Sequence, residues 1–207
     1  MEPKPLASEI GETLKNRRSY RDYASQPVEA AEIAEVLEQV ATAPSAWNLQ
    51  PWRFVVITDP ATKEALQGAA FGQKQVTGAP VVVALYTDMV EALARVDDVL
   101  HPSMPADVKE GYKQRVLGSF ARMTPEERDQ WGKAQGYIAL GYLILLLELH
   151  GYVSSPMLGF DPPAVRKILG LPDHAEIPAL IAIGHRSADH PGPQHRLPID
   201  QMLRYVE

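Results

Sequence analysis

The chain has 207 residues, 45% of them hydrophobic and 22% charged, with a formal net charge of -6. This length buries one sizeable core, and the negative balance excludes a general nucleic-acid or membrane-surface binder, since both need broad positive potential. Cysteine is absent, which excludes disulfides, thiolate metal sites and cysteine nucleophiles and fits a reducing cytoplasm.

The N-terminal MEPKPLASEIGETLKNRR has no apolar core of signal-peptide type, and residues 7–18 are read as a short helix running into the basic cluster NRRSYR. From Ala31 to Thr42, the apolar positions Ile33, Val36, Leu37, Val40 and Ala41 follow the spacing of an amphipathic helix. Pro44 stops it. RFVVIT, Arg53–Thr58, predicts a buried strand, and Asp59-Pro60 supplies a cap and a first-turn proline for the next helix. PVVVALYT, Pro80–Thr87, predicts a second strand.

Residues 88–123 are mixed, with weak helical signals, and are read as a variable lobe that covers a pocket or a partner. Thr124 and Glu127 form a capping box for a helix ending near Gly151. Its apolar stretch YIALGYLILLLEL is shorter than the about 20 residues of a bilayer span and reads as a buried central helix. After a short extended piece, DPPAVRKILG predicts a helix capped by Asp161 and stopped by Gly170, and IPALIAIG a third strong strand. The proline-rich tail beyond Gly184 is expected to wrap over the body or over a second chain. The pattern predicts one α+β domain over residues 1–207, a sheet flanked by helices, soluble and cytoplasmic.

Several chemistries are missing. No dinucleotide-binding or P-loop glycine pattern, metalloprotease motif or nucleophile elbow occurs. His101, His150, His174, His185, His190 and His195 show no metal-ligand spacing and read as surface or loop residues. RRSYR is more informative: Arg17, Arg18 and Arg21 with the Ser19 hydroxyl group several donors at a helix end. They suit a phosphate, which guanidinium groups bind bidentately, although most short basic runs are solvated surface, here one that complements the negative helix terminus. In the tail, Arg196 is bracketed in QHRLP and is either a second phosphate contact or a salt-bridge partner. The segment APSAWNLQPW, Ala43–Trp52, places two tryptophans and two amides where no regular structure can continue. Trp52 abuts a strand and is assigned to the core, whereas Ser45 and Asn48 are suited to fixing the polar edge of a planar ligand. SSPMLGF, Ser154–Phe160, offers a second wall of close-approaching backbone.

Taken in order, RRSYRDY, APSAWNLQPWRFVVIT, GAPVVVALY, GYVSSPMLGFDP and HRLP make the chain resemble the FMN-dependent nitroreductase family, over residues 14–198 except the lobe. The resemblance implies an α+β nitroreductase fold with a mostly antiparallel central sheet, a C-terminal extension around the partner subunit, and a homodimer with FMN at the interface. By it, Arg17, Arg18 and Ser19 hold the flavin phosphate and ribityl chain, and Arg21 lies by the pyrimidine edge. Pro44, Ser45, Ala46, Trp47 and Asn48 reach the flavin from the other subunit. Met157, Leu158 and Gly159 line the reactive ring, Gln73 or Lys74 supplies a polar contact, and Arg196 returns to the phosphate. Gln194 stands where some members carry lysine, and Leu158 where some carry glutamate. The implied reaction is ping-pong hydride transfer from NAD(P)H through FMN to nitroaromatics, quinones or similar flat electron acceptors, with no obligatory catalytic side chain. The same fold also hosts dehydrogenation, dehalogenation and flavin fragmentation, and flavin binding without turnover is the reading from another class.

Overall fold

The computed structural model describes residues 5–188, 192 and 194–206. His190, the first four residues of the N-terminal segment and a few tail positions lie outside them. Four strands form one antiparallel sheet: β1 (Trp52–Ile57), β2 (Val81–Thr87), β3 (Val153–Met157) and β4 (Glu176–Gly184), in the order β1-β2-β4-β3. The extended piece expected after residue 151 is thus a full edge strand, paired through Val153 to Gly184 and Met157 to Leu180. β2 and β4 are buried almost throughout, as strands covered on both faces must be.

Strand alternation sends Val81, Val83, Leu85, Ile181 and Ile183 to one face, where α2 (Ala30–Val40) and α7 (Pro125–Leu149) cover them. Val82, Ala84, Leu180 and Ala182 face the other way, onto α3 (Pro60–Ala69), α4 (Gln75–Gly78) and α8 (Pro162–Leu169). The alternation slips once. Leu85 is opposite Ala179 but Thr87 is opposite Glu176, so β4 carries an extra residue beside Pro178, a position where a bulge accommodates proline. α7 lies very close to this end of the sheet: a Cβ on Gly136 would stand 2.6 Å from Pro178 Cγ and 2.9 Å from Thr87 Cγ2, so only glycine fits there.

The capping expectations hold. Thr124 and Glu127 form the capping box of α7, Asp59 and Asp161 cap α3 and α8, and Gly170 ends α8 with a left-handed φ of 64°. The expectation that α7 is buried all round is corrected. Gly132, Gly136, Ala139, Leu140, Leu143 and Leu147 face the sheet, but Tyr137, Ile138, Tyr142 and Leu149 are exposed within one chain. The lobe is more ordered than its sequence implied. α5 (Met89–Ala94), a 3-10 turn at Val96–Val99 and α6 (Ala106–Phe120) enclose a third core of Leu49, Met89, Val96, Val116 and Phe120. α1 (Pro5–Asn16) ends two residues before the sequence-based boundary.

Candidate functional site

α1 ends at Asn16, and the chain then runs along the free edge of β3. Ser19 bridges Ser154 in parallel, and the Tyr20 N–H donates to the Ser154 carbonyl at 3.2 Å. This lacing fixes Arg17 and Arg18 beside the sheet edge. Arg18 donates from Nη1 to the carbonyls of Lys15 (2.6 Å) and Arg17 (2.9 Å), and from Nε to the Gly192 carbonyl of the tail (3.2 Å). The tail is thereby drawn back to the N-terminal cluster. Arg196 bonds to the Gln194 side chain and the His195 carbonyl and lies close enough to Arg17 to act on it electrostatically.

The two arginine clusters therefore converge. Arg17 Nη1 is buried with no hydrogen-bond partner among the described residues, which is costly unless a ligand supplies one. Its pKa is lowered first by burial, against the pull of Glu148, and then by the Arg196 and Arg18 charges. Glu148 is raised by burial, against the pull of Arg186 and Arg17. Three guanidinium groups in one place have the chemistry to hold a multiply charged anion, and their planar forks match the geometry of a phosphate. Arg21 is exposed on the bend that follows.

The second wall stands at the end of β3. Met157 is buried, and Leu158 and Gly159 are exposed beyond it. Gln73 donates from Nε2 to the Gly159 carbonyl at 2.7 Å and accepts from Gln75 at 3.1 Å. The α3–α4 turn and the Met157–Gly159 segment are thus tied together, with Lys74 exposed beside them. Phe71, which the sequence did not single out, sits on this turn with a φ of 56° and 73% exposure. A bulky aromatic held at positive φ and offered to solvent is unusual. The only sequence signal for it is the Phe71-Gly72 pair.

Pro44–Asn48 lies elsewhere. It precedes β1, at the opposite edge of the sheet from β3, and three strand spacings put ~14 Å between those edges. Trp52 is in the core. The 3-10 turn Ala46–Asn48 is strained, with φ of 60° at Trp47, 55° at Asn48 and 44° at Gln50. Its polar groups hold the strain in place. The Gln50 N–H donates to Ser45 Oγ at 3.0 Å and the Gln50 side chain donates to Asn48 Oδ1 at 3.0 Å. Asn48 Nδ2 donates to the Val99 carbonyl of the lobe at 3.0 Å, and the Ala46 N–H donates to Gln135 Oε1 of α7 at 2.9 Å. Ser45 and Asn48 thus first shape the loop, and the lobe of residues 88–123 is clamped onto this segment. The Ser45 proton and the second Asn48 amide proton remain for a ligand. A cavity of about 250 Å³ lined by Leu49, Gln50, Arg53, Ala92, Arg95, Asp98 and Val99 lies between segment and lobe.

Three of the histidines are engaged by other side chains. His174 pairs with Asp88 at 2.9 Å, His150 with Gln39 and His101 with Ser103. Among the described residues, no set of three or more His, Asp or Glu is placed to hold a metal ion, and no helix is long and apolar enough to cross a membrane.

The sequence and the fold both have known relatives. A profile of the nitroreductase family matches residues 14–185. The chain belongs to the nitroreductase family. Within the family it is 54% identical over 187 residues to an NADH dehydrogenase of Thermus thermophilus, covering 90% of this chain and 91% of that one. It is 28% identical over 186 residues to the oxygen-insensitive NADPH nitroreductase of Helicobacter pylori, covering 85% and 87%. In three dimensions it matches a nitroreductase-like protein of Exiguobacterium sibiricum solved in complex with FMN, with a TM-score of 0.86 at 27% identity over 95% of this chain and 97% of that one. The family fold, an α+β sheet flanked by helices, is the fold described above.

Proposed function

We propose that this nitroreductase-family chain is an FMN-dependent oxidoreductase that carries hydride from NAD(P)H to flat, electron-poor acceptors such as nitroaromatics and quinones. The observation that carries the proposal is the convergence of Arg17, Arg18 and Arg196 around a buried guanidinium donor with no partner among the described residues. FMN, when bound, supplies the chemistry by accepting hydride from NAD(P)H and passing it to an acceptor bound in the same place after the nicotinamide leaves.

In this reading Arg17, Arg18 and Arg196 hold the flavin phosphate, Ser19 the ribityl chain, and Arg21 the pyrimidine edge, where a fixed cation favours the negative charge of the reduced ring. Met157, Leu158, Gly159 and Gln73 line the ring. Pro44, Ser45, Ala46, Trp47 and Asn48 approach from a second copy, because within one chain they stand at the far edge of the sheet. The exposed apolar face of α7 and the uncovered tail residues Leu197, Ile199, Met202, Leu203 and Tyr205 support a homodimer, since together they form apolar surface with no cover in one chain. The relationship to the Thermus NADH dehydrogenase supports NADH as donor. Reduction of a nitro group to a nitroso group takes the hydride and one proton and releases water, so solvent supplies the one further proton needed. No side chain is assigned as acid or base.

Adding NADH anaerobically to FMN-loaded protein tests the proposal. The visible flavin band bleaches and then returns on addition of a quinone. Protein that binds FMN but leaves the band unchanged with both NADH and NADPH contradicts it.

A further inference from the structure

The lobe carries a cationic aromatic shelf that hydride transfer itself does not require. Tyr112 on α6 meets Trp47 edge to face, with ring centroids 5.7 Å apart at 78°. Arg115, three residues further on and therefore on the same side of the helix, holds its guanidinium carbon 5.9 Å from the Tyr112 ring centroid. Three neighbouring cations are paired, Arg53 with Glu91, Arg95 with Glu91 and Asp98, and Lys113 with Asp97, whereas Lys109 of α6 is turned to the Pro102 carbonyl at 3.1 Å. Arg115 is exposed, and no carboxylate among the described residues lies within ion-pair distance of it. The shelf is also held in place. Trp47 is fixed in a left-handed conformation, and its neighbour Asn48 is bonded to Val99, at the start of the loop leading to α6.

We propose that Trp47, Tyr112 and Arg115 select acceptors of one class, planar aromatic rings carrying a carboxylate or similar fixed negative group. The proposal rests on the reading that Pro44–Asn48 faces the flavin bound by a partner copy. A ring lying against the edges of Trp47 and Tyr112 gains aromatic contact. A negative substituent on that ring meets a guanidinium with no carboxylate of the described residues at ion-pair distance, and the pairing is charge-assisted and directional. Arg115 is a specificity-determining residue in this account and takes no part in the chemistry. NAD(P)H also carries negative phosphates, and ping-pong kinetics separates the two sources, because each substrate has its own kcat/KM.

The test uses FMN-loaded full-length protein, wild type, Arg115→Ala and Arg115→Lys, with 4-nitrobenzoate and its uncharged analogue 4-nitrobenzamide. Arg115→Ala lowers kcat/KM for the carboxylate about tenfold and leaves the amide and NADH within about twofold. Arg115→Lys retains part of the preference, and high salt shrinks it in the wild type. Equal losses on both acceptors, or a loss confined to NADH, overturn the shelf while leaving the oxidoreductase reading standing. Wild-type protein that bleaches with NADH yet reduces both acceptors equally also overturns it. Failure of the wild type to reduce any acceptor removes the oxidoreductase reading and this inference with it.

Discussion

At the β3 edge, Arg17 Nη1 is buried with no partner among the described residues, beside two further arginines. At the β1 edge the reverse holds. Ser45, Ala46, Asn48 and Gln50 engage one another, α7 and the lobe, and the backbone is strained at Trp47, Asn48 and Gln50. One region is built to bind by charge, the other to present a fixed shape. In the proposed reading, the charged edge holds the flavin phosphate and the shaped edge of a second copy completes the pocket.

The largest expected effect breaks the charged side. Arg17→Ala combined with Arg196→Ala removes two charge-assisted contacts worth about 1.5–3 kcal/mol each, so FMN affinity measured by fluorescence titration falls at least a hundredfold, roughly. Undiminished flavin retention refutes the phosphate assignment. Next in size is Tyr142→Glu, which places like charges across the exposed α7 face. Sedimentation is expected to show a monomer, with FMN lost in parallel if each pocket draws on two copies. A monomer that keeps FMN would show instead that the two edges act within one chain.

The shaped side gives smaller effects. Asn48→Ala removes the bonds to Val99 and Gln50 and keeps the positive φ, so stability in urea falls by about 1–2 kcal/mol. Asn48→Gly loses the same bonds but tolerates that φ, and its loss is expected to be smaller. Equal losses would mean that the strain at Asn48 is immaterial. The smallest effect concerns Glu91, which joins Arg53 of β1 to Arg95 of the lobe. Its pKa is lowered, first by the Arg53 hydrogen bond, against burial, and then by Arg95. A carboxylate with a lowered folded-state pKa stabilises above its unfolded value of about 4.3 and loses that contribution as pH falls through the folded value. The melting temperature of Glu91→Gln is therefore slightly below wild type at neutral pH, and the gap closes in acid.

The contrast also marks what the sequence could reveal. Alternation and capping residues located β1, β2, β4, α2, α3, α7 and α8, because local rules dictate those elements. β3 was seen only as an extended piece, since Ser154, Ser155 and Pro156 dilute its apolar pattern and its pairing with β4 is non-local. The lobe helices were faint because their apolar residues serve a small private core around Phe120. The arginines were legible one cluster at a time. Their convergence depends on Arg18 holding the tail at Gly192, a contact spanning most of the chain. Ser45 and Asn48 were read as ligand groups, and the structure adds that they first lock the loop. The open face of α7 was hidden because a helix apolar all round has the same composition whether a sheet or a partner covers its second side.

The shared site is tested most directly by mixing two broken copies. One carries Arg17→Ala with Arg196→Ala; the other carries Ser45→Glu, which sets a carboxylate against the flavin edge. Each homodimer alone is expected to lose FMN. If each pocket takes its cations from one copy and its Pro44–Asn48 segment from the other, the purified mixed dimer regains about one FMN, in one intact pocket. Mixed dimers that bind no more FMN than either parent would contradict the shared pocket.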